Sequence, residues 1–233
     1  MSELLDPTND YVFKRLFSDA PDLLADLIID LRPDSPAITS VQIRNPDIKP
    51  TDLTSKHITF GVLARDCDGQ YVGIDMQICT DDAAWQQRGL FYLARTLDTH
   101  LFAVDDCQRL HATVVLHLLD FDLFTNTASE RERAVWRLEM RDQHQPDVTL
   151  GNVQEMNLIE LNKADRLDLP EGPLRDWVTF FKHWHDELAM ARVAHEPVKR
   201  AMRRIRDLST DEETRRLAFA REQALKDEVS HAE

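Results

Sequence analysis

Residues 56–78 read KHITFGVLARDCDGQYVGIDMQI, and apolar and polar side chains alternate along them on both sides of DCDG. A period of two residues is typical of a β-strand that buries one of its faces. Gly69 closes the interruption and supplies the positive φ that a tight turn requires. The stretch therefore predicts a β-hairpin whose turn lies at DCDG.

The position of the turn fixes the register of this hairpin. Gly61 is then opposite Asp75, and Thr59 is opposite Gln77. One face is apolar throughout and is predicted to be core: Ile58, Phe60, Val62, Ala64, Val72, Ile74, Met76 and Ile78. The other face is polar and contains two glycines that leave space above the sheet: His57, Thr59, Gly61, Leu63, Tyr71, Gly73, Asp75 and Gln77.

The polar face has two interpretations. It meets solvent, as one face of many antiparallel sheets does. Alternatively it is the floor of a cleft, where the carboxylate of Asp75 and the amide of Gln77 meet a metal ion and a phosphate. The hairpin residues by themselves leave both interpretations open.

Other elements follow from hydrophobic periodicity, glycine, proline and capping residues. Two short helices are predicted within residues 10–31, the second opening at Pro21, and residues 45–56 read as a loop. Further strands are predicted over 38–43, 111–119, about 134–140 and 153–161. Further helices are predicted over about twenty residues after the hairpin (83–102), and over 174–195, 197–208 and 210–229. The prediction is a mixed α/β core, residues 1–168, and an α-helical C-terminal region, residues 169–233.

The composition is that of a soluble globular chain with an acidic balance. Twenty-eight Lys and Arg against 42 Asp and Glu give a formal net charge of −14, which argues against nucleic-acid binding over the whole surface but leaves room for a local basic groove. Three cysteines are too few and too scattered for a disulfide framework or a zinc site. No signal peptide and no apolar run long enough to cross a membrane is apparent, so we expect a cytoplasmic protein.

Several segments spread over residues 8–228 occur together in one family order: NDYVFKRLF, GIDMQ, QQRGLFYLARTL, LIELNK, RDWVTFF and STDEETRRLAFAREQALKD. Together they resemble the recombination-promoting nuclease, transposase-related (Rpn-like) branch of the PD-(D/E)XK nucleases. The resemblance implies a restriction-endonuclease-like fold, a three-layer α/β core with a mixed sheet flanked by helices. It also implies Mg²⁺-dependent hydrolysis of DNA phosphodiester bonds.

Three positions of the hairpin carry the family's active-site pattern. Asp75 stands at the position of the family's metal-binding Glu in the second strand, with Asp in place of Glu. Gln77 stands at the family's Gln position, two residues further on. The metal-binding Asp of the first strand corresponds to Gly61 here. Since Gly61 supplies no ligand, one carboxylate remains where two normally hold the metal. The resemblance therefore predicts an impaired nuclease with weakened Mg²⁺ binding, or a catalytically silent relative that acts through DNA binding or protein association.

Further candidates lie outside the hairpin, each with a plainer alternative. In the resembling family the first helix flanks the cleft, so Asp10 is a candidate catalytic residue and Lys14 a candidate DNA contact; the alternative is a solvated i,i+4 pair. Arg88 opens the helix after the hairpin and is a candidate phosphate contact. The basic stretch KRAMRRIRDL adds Arg200, Arg203 and Arg204 as candidate DNA contacts, or a solvated helix face.

Two further predictions are structural. Glu160 and Lys163 are expected to form a salt bridge at a strand end, and Trp136, Trp177 and Trp184 are expected to be core or interface anchors. The expected partners are DNA and a second copy of the chain, since cleavage of both strands in this superfamily commonly uses two sites.

Overall fold

A computed structural model describes residues 4–44, 60–69, 71–79, 94, 112–149 and 154–232. Its strands are β1 (Ile38–Ile43), β2 (Phe60–Asp66), β3 (Tyr71–Cys79), β4 (Ala112–Leu119), β5 (Val135–Glu139) and β6 (Gln154–Glu160). Its helices, numbered among the described residues, are α1 (Asp10–Ser18), α2 (Pro21–Leu31), α3 (Ala128–Arg131), α4 (Leu161–Arg166), α5 (Pro173–His183), α6 (Glu187–Arg192), α7 (Glu196–Thr210) and α8 (Glu212–Ala232). The predicted loop over 45–56 lies outside the described residues, as does the predicted helix over 83–102 except for Ala94, which is helical.

The six strands form one mixed sheet in the order β1-β2-β3-β4-β6-β5. Strands β1, β2 and β3 are antiparallel neighbours, and β5 is antiparallel to β6 at the opposite edge. Strand β4 is parallel to both β3 and β6, so it lies at the centre of the mixed part. This topology confirms the predicted α/β fold with a mixed sheet and flanking helices.

Strand β4 is apolar along its whole length because the sheet is covered on both sides. Val114 and Val115 point to opposite faces, as successive strand residues do, and they are 2% and 1% exposed. Both faces of the central strand are therefore buried, which is why its sequence shows a continuous apolar run instead of alternation.

The larger core lies on the apolar face of the hairpin. That face contributes Val62, Ala64, Val72, Ile74, Met76 and Ile78, all buried as predicted. Helices α1, α2, α5 and α7 contribute to the same cluster. Aromatic rings join α1 to α5: the Phe13 and Phe181 ring centroids are 6.0 Å apart, and those of Phe17 and Trp177 are 6.1 Å apart. Each such side chain contributes about 1.5–3 kcal/mol when fully buried.

A smaller apolar cluster lies on the other face of the sheet. It is formed by buried Leu119, Met156 and Leu158, against which Phe121, Leu123, Phe124 and Trp136 pack. The Phe124 and Trp136 ring centroids are 4.5 Å apart. The segment that follows β4 therefore covers the β4–β6–β5 end of this face.

The helix predicted over 174–195 is wrong in its extent, because the chain forms α5 and α6 with a break between them. The Asp186 amide donates to the His183 carbonyl, and the Asp186 carboxylate accepts from the amides of Leu188 and Ala189. Asp186 is thus the N-cap of a new helix, which periodicity cannot distinguish from a helix interior. In the same way Asp211 ends α7 and caps α8, accepting from the Thr214 amide.

The C-terminal helices share the main core with the sheet. Trp177, Phe180 and Phe181 of α5, Val198 and Ile205 of α7, and Ala218 of α8 belong to the same buried cluster as the strands. The boundary predicted at residue 168 marks a change in element type, and as a domain boundary it stays a prediction.

Candidate functional site

The hairpin has the register that its turn predicts. Arg65 is paired with Tyr71 at the turn end, and Gly61 is paired with Asp75. Gly69 adopts φ 78°, the left-handed conformation the turn requires. The predicted pairing of Thr59 with Gln77 lies outside the described residues, as do the side chains of Asp75 and Gln77. The backbone positions nevertheless place a glycine directly across the strand pair from the one acid.

On β4 the face that carries Asp75 is covered. In the parallel β3–β4 ladder, Asp75 is adjacent to Val115, and Gln77 is adjacent to His117. Val115 is 1% exposed and His117 is fully buried. Paired residues of neighbouring strands share a face, so this face of the sheet is buried where it continues from the hairpin onto β4.

Helix α1 packs against β3 and brings two charged side chains into the interior. Asp10 is 6% exposed and Lys14 is 2% exposed, so the alternative of a solvated Asp10–Lys14 pair is wrong. The Asp10 carboxylate accepts from Arg221 of α8, at 2.8 Å from Nε and 2.6 Å from Nη2. Burial of both ions follows from this two-point contact, since unpaired charges are rarely buried.

Arg221 is a buried charged residue that sequence reasoning missed, as is Glu155. Arg221 is 1% exposed and lies on the same helix face as Thr214 and Ala218, which are 2% and 5% exposed. The spacing of 214, 218 and 221 is that of one buried stripe on a helix. This spacing could have indicated from the sequence that Arg221 faces the interior. Asn9 reinforces the contact between the helices, because its side chain caps α1 and its amide nitrogen donates to the Ala218 carbonyl at 3.2 Å.

The candidate DNA-binding arginines of α7 already have partners within the chain. Arg200 contacts the carboxylates of Asp22 and Asp26 on α2. Its hydrogen bond lowers the pKa of Asp22, whereas burial raises the pKa of Asp26. Arg203 pairs with Glu196 at 2.6 Å, and the Arg204 Nε donates to the Leu16 carbonyl at 3.0 Å. The contacts of Arg200 and Arg204 hold α7 against α2 and α1, whereas the Arg203–Glu196 pair lies within α7. DNA contact by the three arginines stays a prediction. Arg88 lies outside the described residues.

Glu160 and Lys163 form the predicted salt bridge at the end of β6, with 2.7 Å between Nζ and Oε2 and both side chains fully buried. Glu160 also accepts from the Phe124 amide at 2.9 Å and from the Trp136 indole at 2.7 Å. Lys163 donates in addition to the carbonyls of Phe124 and Glu130. Both charged groups therefore make their hydrogen bonds inside the protein, and these bonds hold the segment after β4 in place.

The three tryptophans are structural anchors, as predicted. Trp177 is fully buried and its indole donates to Asp30 at 2.8 Å. Trp184 packs against the main core and Trp136 against the smaller cluster.

A divalent metal ion needs several oxygen ligands that converge on one point. Within the described part of the chain, no group of three or more His, Cys, Asp or Glu side chains could hold one. Across the hairpin, Gly61 offers no ligand opposite Asp75, and both oxygens of Asp10 accept from Arg221. The described residues therefore do not form the ligand set that a tightly held metal would need.

The fold and the hairpin define an α/β protein with a mixed sheet, in which a glycine lies opposite an acid across the hairpin. The family model of the PD-(D/E)XK nuclease family transposases matches residues 7–233. The chain belongs to this family, in agreement with the resemblance seen in the sequence. Neither a curated protein nor a solved structure matches it. No described helix has the length and apolar character needed to span a membrane.

Proposed function

We propose that this chain is a weakened nuclease of its family, whose metal-dependent hydrolysis of DNA phosphodiester bonds is strongly impaired. The observation that carries the proposal is the pairing of Gly61 with Asp75 across the β2–β3 hairpin. Members of the family are expected to hold a divalent metal with carboxylates at both of these positions. Here one of the two positions has no side chain beyond hydrogen.

The size of the impairment follows from the role of the missing carboxylate. A bound metal stabilises charge on the transferring phosphoryl group and activates the attacking water. Losing one group that stabilises a transition state costs about 3–4 kcal/mol, or about 10²–10³ in rate. Gln77 does not compensate, because an amide carries no charge and can only orient water or phosphate through hydrogen bonds.

A second candidate is a catalytically silent protein that acts by binding DNA or by associating with another chain. It is favoured by the contact between Asp10 and Arg221, which occupies both oxygens of the acid on the helix next to β3. A metal ion would have to compete with Arg221 for that carboxylate. On this reading the family fold is retained and the chemistry is lost.

The test restores the missing acid. Cleavage of supercoiled and linear DNA is measured with Mg²⁺ and with Mn²⁺ for the wild type, Gly61→Asp, Gly61→Asn and Asp75→Ala. We expect weak or undetectable cleavage by the wild type and a metal-dependent gain of about 10²-fold or more for Gly61→Asp. Gly61→Asn is the matched control, because it has nearly the same size without the charge, and it is expected to give no gain.

Efficient wild-type cleavage that Asp75→Ala abolishes and Gly61→Asp does not improve would contradict the proposal. Cleavage by none of the variants, with DNA binding retained in fluorescence anisotropy, would instead support the silent candidate. Circular dichroism of each variant shows that it is folded.

A further inference from the structure

Strand β5 ends the sheet that the described residues form. Within this sheet β5 pairs with β6 alone, so no described strand covers its outer edge, called the open edge below. The Glu160 amide donates to the Ala134 carbonyl at 2.9 Å, and this contact continues the β5–β6 register. Alternate residues of an antiparallel strand bond to the same neighbour. Ala134, Trp136 and Leu138 therefore direct their backbone groups to β6, and Val135, Arg137 and Glu139 direct theirs to the open side.

The open edge is apolar on one face and charged on the other. Leu138 and Met140 are 42% and 56% exposed, unusually high for large apolar side chains. On the opposite face, Arg137 and Glu139 carry opposite charges two residues apart, with 2.8 Å between Arg137 Nε and Glu139 Oε1. An exposed strand edge with apolar side chains readily pairs with another strand.

We propose that β5 pairs antiparallel with β5 of a second copy of this chain, about a twofold axis that passes beside Leu138. In this register the backbone amide and carbonyl of Arg137 hydrogen-bond to those of Glu139 in the partner. By symmetry, the backbone groups of Glu139 hydrogen-bond to those of the partner's Arg137. The interface is self-complementary, as a twofold interface requires. It joins the two six-stranded sheets into one continuous sheet.

Two other symmetric registers match two or more pairs of open backbone groups within β5, and each is less favourable. Centring the axis on Arg137 places two like charges directly opposite each other, which is destabilising. Centring it on Trp136 places Arg137 opposite Val135 of the partner, which offers it no opposite charge, and adds a second donor to the Val135 carbonyl, which already accepts from Arg133 Nε at 2.8 Å. The register centred on Leu138 avoids both disadvantages.

Charge and apolar contacts both favour the register centred on Leu138. Each Arg137 lies opposite Glu139 of the partner. Each of these four side chains, two per copy, therefore has an opposite charge beside it in its own chain and another across the axis. On the other face Leu138 meets its own copy and Trp136 meets Met140 of the partner. Because Trp136 packs against the cluster of Leu119, Met156 and Leu158, this contact joins the small apolar clusters of the two copies.

The interface is short, so the dimer is expected to be weak. One strand pair buries far less than the roughly 1,600 Å² of a standard interface, and we expect dissociation in the micromolar range or above. The inference does not depend on whether the hairpin holds a metal or cleaves DNA.

Cross-linking tests the register. In a background in which Cys67, Cys79 and Cys107 are replaced by Ser, which removes all three native cysteines, Leu138→Cys and Met140→Cys are oxidised mildly and resolved on non-reducing gels. Residues opposite each other in a non-hydrogen-bonded pair have Cβ atoms about 4.5–5.5 Å apart, close enough for a disulfide with little adjustment. We expect a covalent dimer at position 138 at several times the yield of position 140. Equal yields at both positions, or none at either, would overturn the proposal.

Charge reversal tests the same contact without a covalent bond. Sedimentation velocity over a concentration series gives the dissociation constant of the wild type, Glu139→Arg and Glu139→Gln. Glu139→Arg creates two like-charged pairs across the axis and is expected to weaken the dimer about tenfold, whereas Glu139→Gln, which only removes the opposite charge, is expected to weaken it less. Leu188→Lys changes a 78% exposed apolar side chain elsewhere and is the control. A wild type that stays monomeric, or a dimer that Glu139→Arg leaves unchanged, refutes the pairing.

Discussion

The carboxylate of Asp10 is buried, although its spacing from Lys14 is also that of a solvated pair. In sequence it looks like half of a surface i,i+4 pair with Lys14. In the structure it accepts two hydrogen bonds from Arg221, 211 positions further along the chain. A buried ion pair of this kind adds little net stability over apolar residues, but the loss of one partner leaves the other charge buried without compensation.

We therefore predict that Asp10→Asn lowers the free energy of unfolding by about 3–5 kcal/mol, because buried Arg221 loses the carboxylate that accepts two of its hydrogen bonds. Urea denaturation followed by circular dichroism measures the change. Asp19→Asn is the matched control, since it breaks the exposed Arg15–Asp19 pair and is expected to cost less than about 1 kcal/mol. A similar loss of unfolding free energy in both variants would show that the buried pair contributes no more to stability than the exposed one.

At the scale of elements, Glu155 joins α2, β5 and β6. Its carboxylate accepts from Arg32 at 3.0 Å and from Arg137 at 2.7 Å, and the Asn157 amide donates to it as well. Burial raises the pKa of Glu155, but Arg32, Asn157 and Arg137 together outweigh burial and lower the pKa below its usual value of 4.5. The carboxyl is thus held ionised where the C-terminal end of α2 meets the sheet edge.

The lowered pKa gives a pH dependence of stability with a definite sign. A carboxyl that binds its proton more weakly in the folded state contributes stability above its unfolded pKa, and this contribution is lost as the pH falls through the folded pKa. We predict that Glu155→Gln destabilises the protein at pH 7 and that the difference from the wild type shrinks below about pH 4.5. Urea midpoints from pH 7 to pH 2.5 measure this. Glu222→Gln, which breaks only the exposed pair with Lys226, is expected to show no such convergence; a constant gap for Glu155→Gln would argue against the ionised network.

At the scale of the whole molecule, the two ends of the chain are packed together. The Leu5 amide donates to the Ser209 hydroxyl at 2.9 Å, and Asn9 donates to the Ala218 carbonyl. Trp177 and Phe181 of α5 pack on Phe17 and Phe13 of α1. The core beneath the sheet therefore needs residues from both sides of position 168.

We predict that a chain ending at residue 168 does not unfold cooperatively, because it lacks the aromatic and aliphatic side chains that complete the core. Differential scanning calorimetry of this fragment beside the full chain tests the prediction. A sharp transition with its own unfolding enthalpy would show that residues 1–168 are an independent domain.

The sequence by itself determined the hairpin, its turn at Gly69, the pairing of Gly61 with Asp75 and the buried face of the strands. These features depend on a period of two residues and on the backbone preference of one glycine, both of which are local. It also indicated the Glu160–Lys163 bridge, whose partners lie within one helical turn. The family follows from short motifs in a fixed order, which a single sequence contains in full.

Only the tertiary structure decided where the charges of α1 and α7 go, that β6 lies between β4 and β5, and that β5 presents Leu138 at an open edge. Asp10 and Arg221, or Arg200 and its aspartates on α2, are neighbours only after the chain has folded. Helical periodicity shows which side chains share a face, but it cannot show what that face meets. The physical reason is that a charge is buried or solvated according to partners supplied by distant parts of the chain, and no local pattern records them.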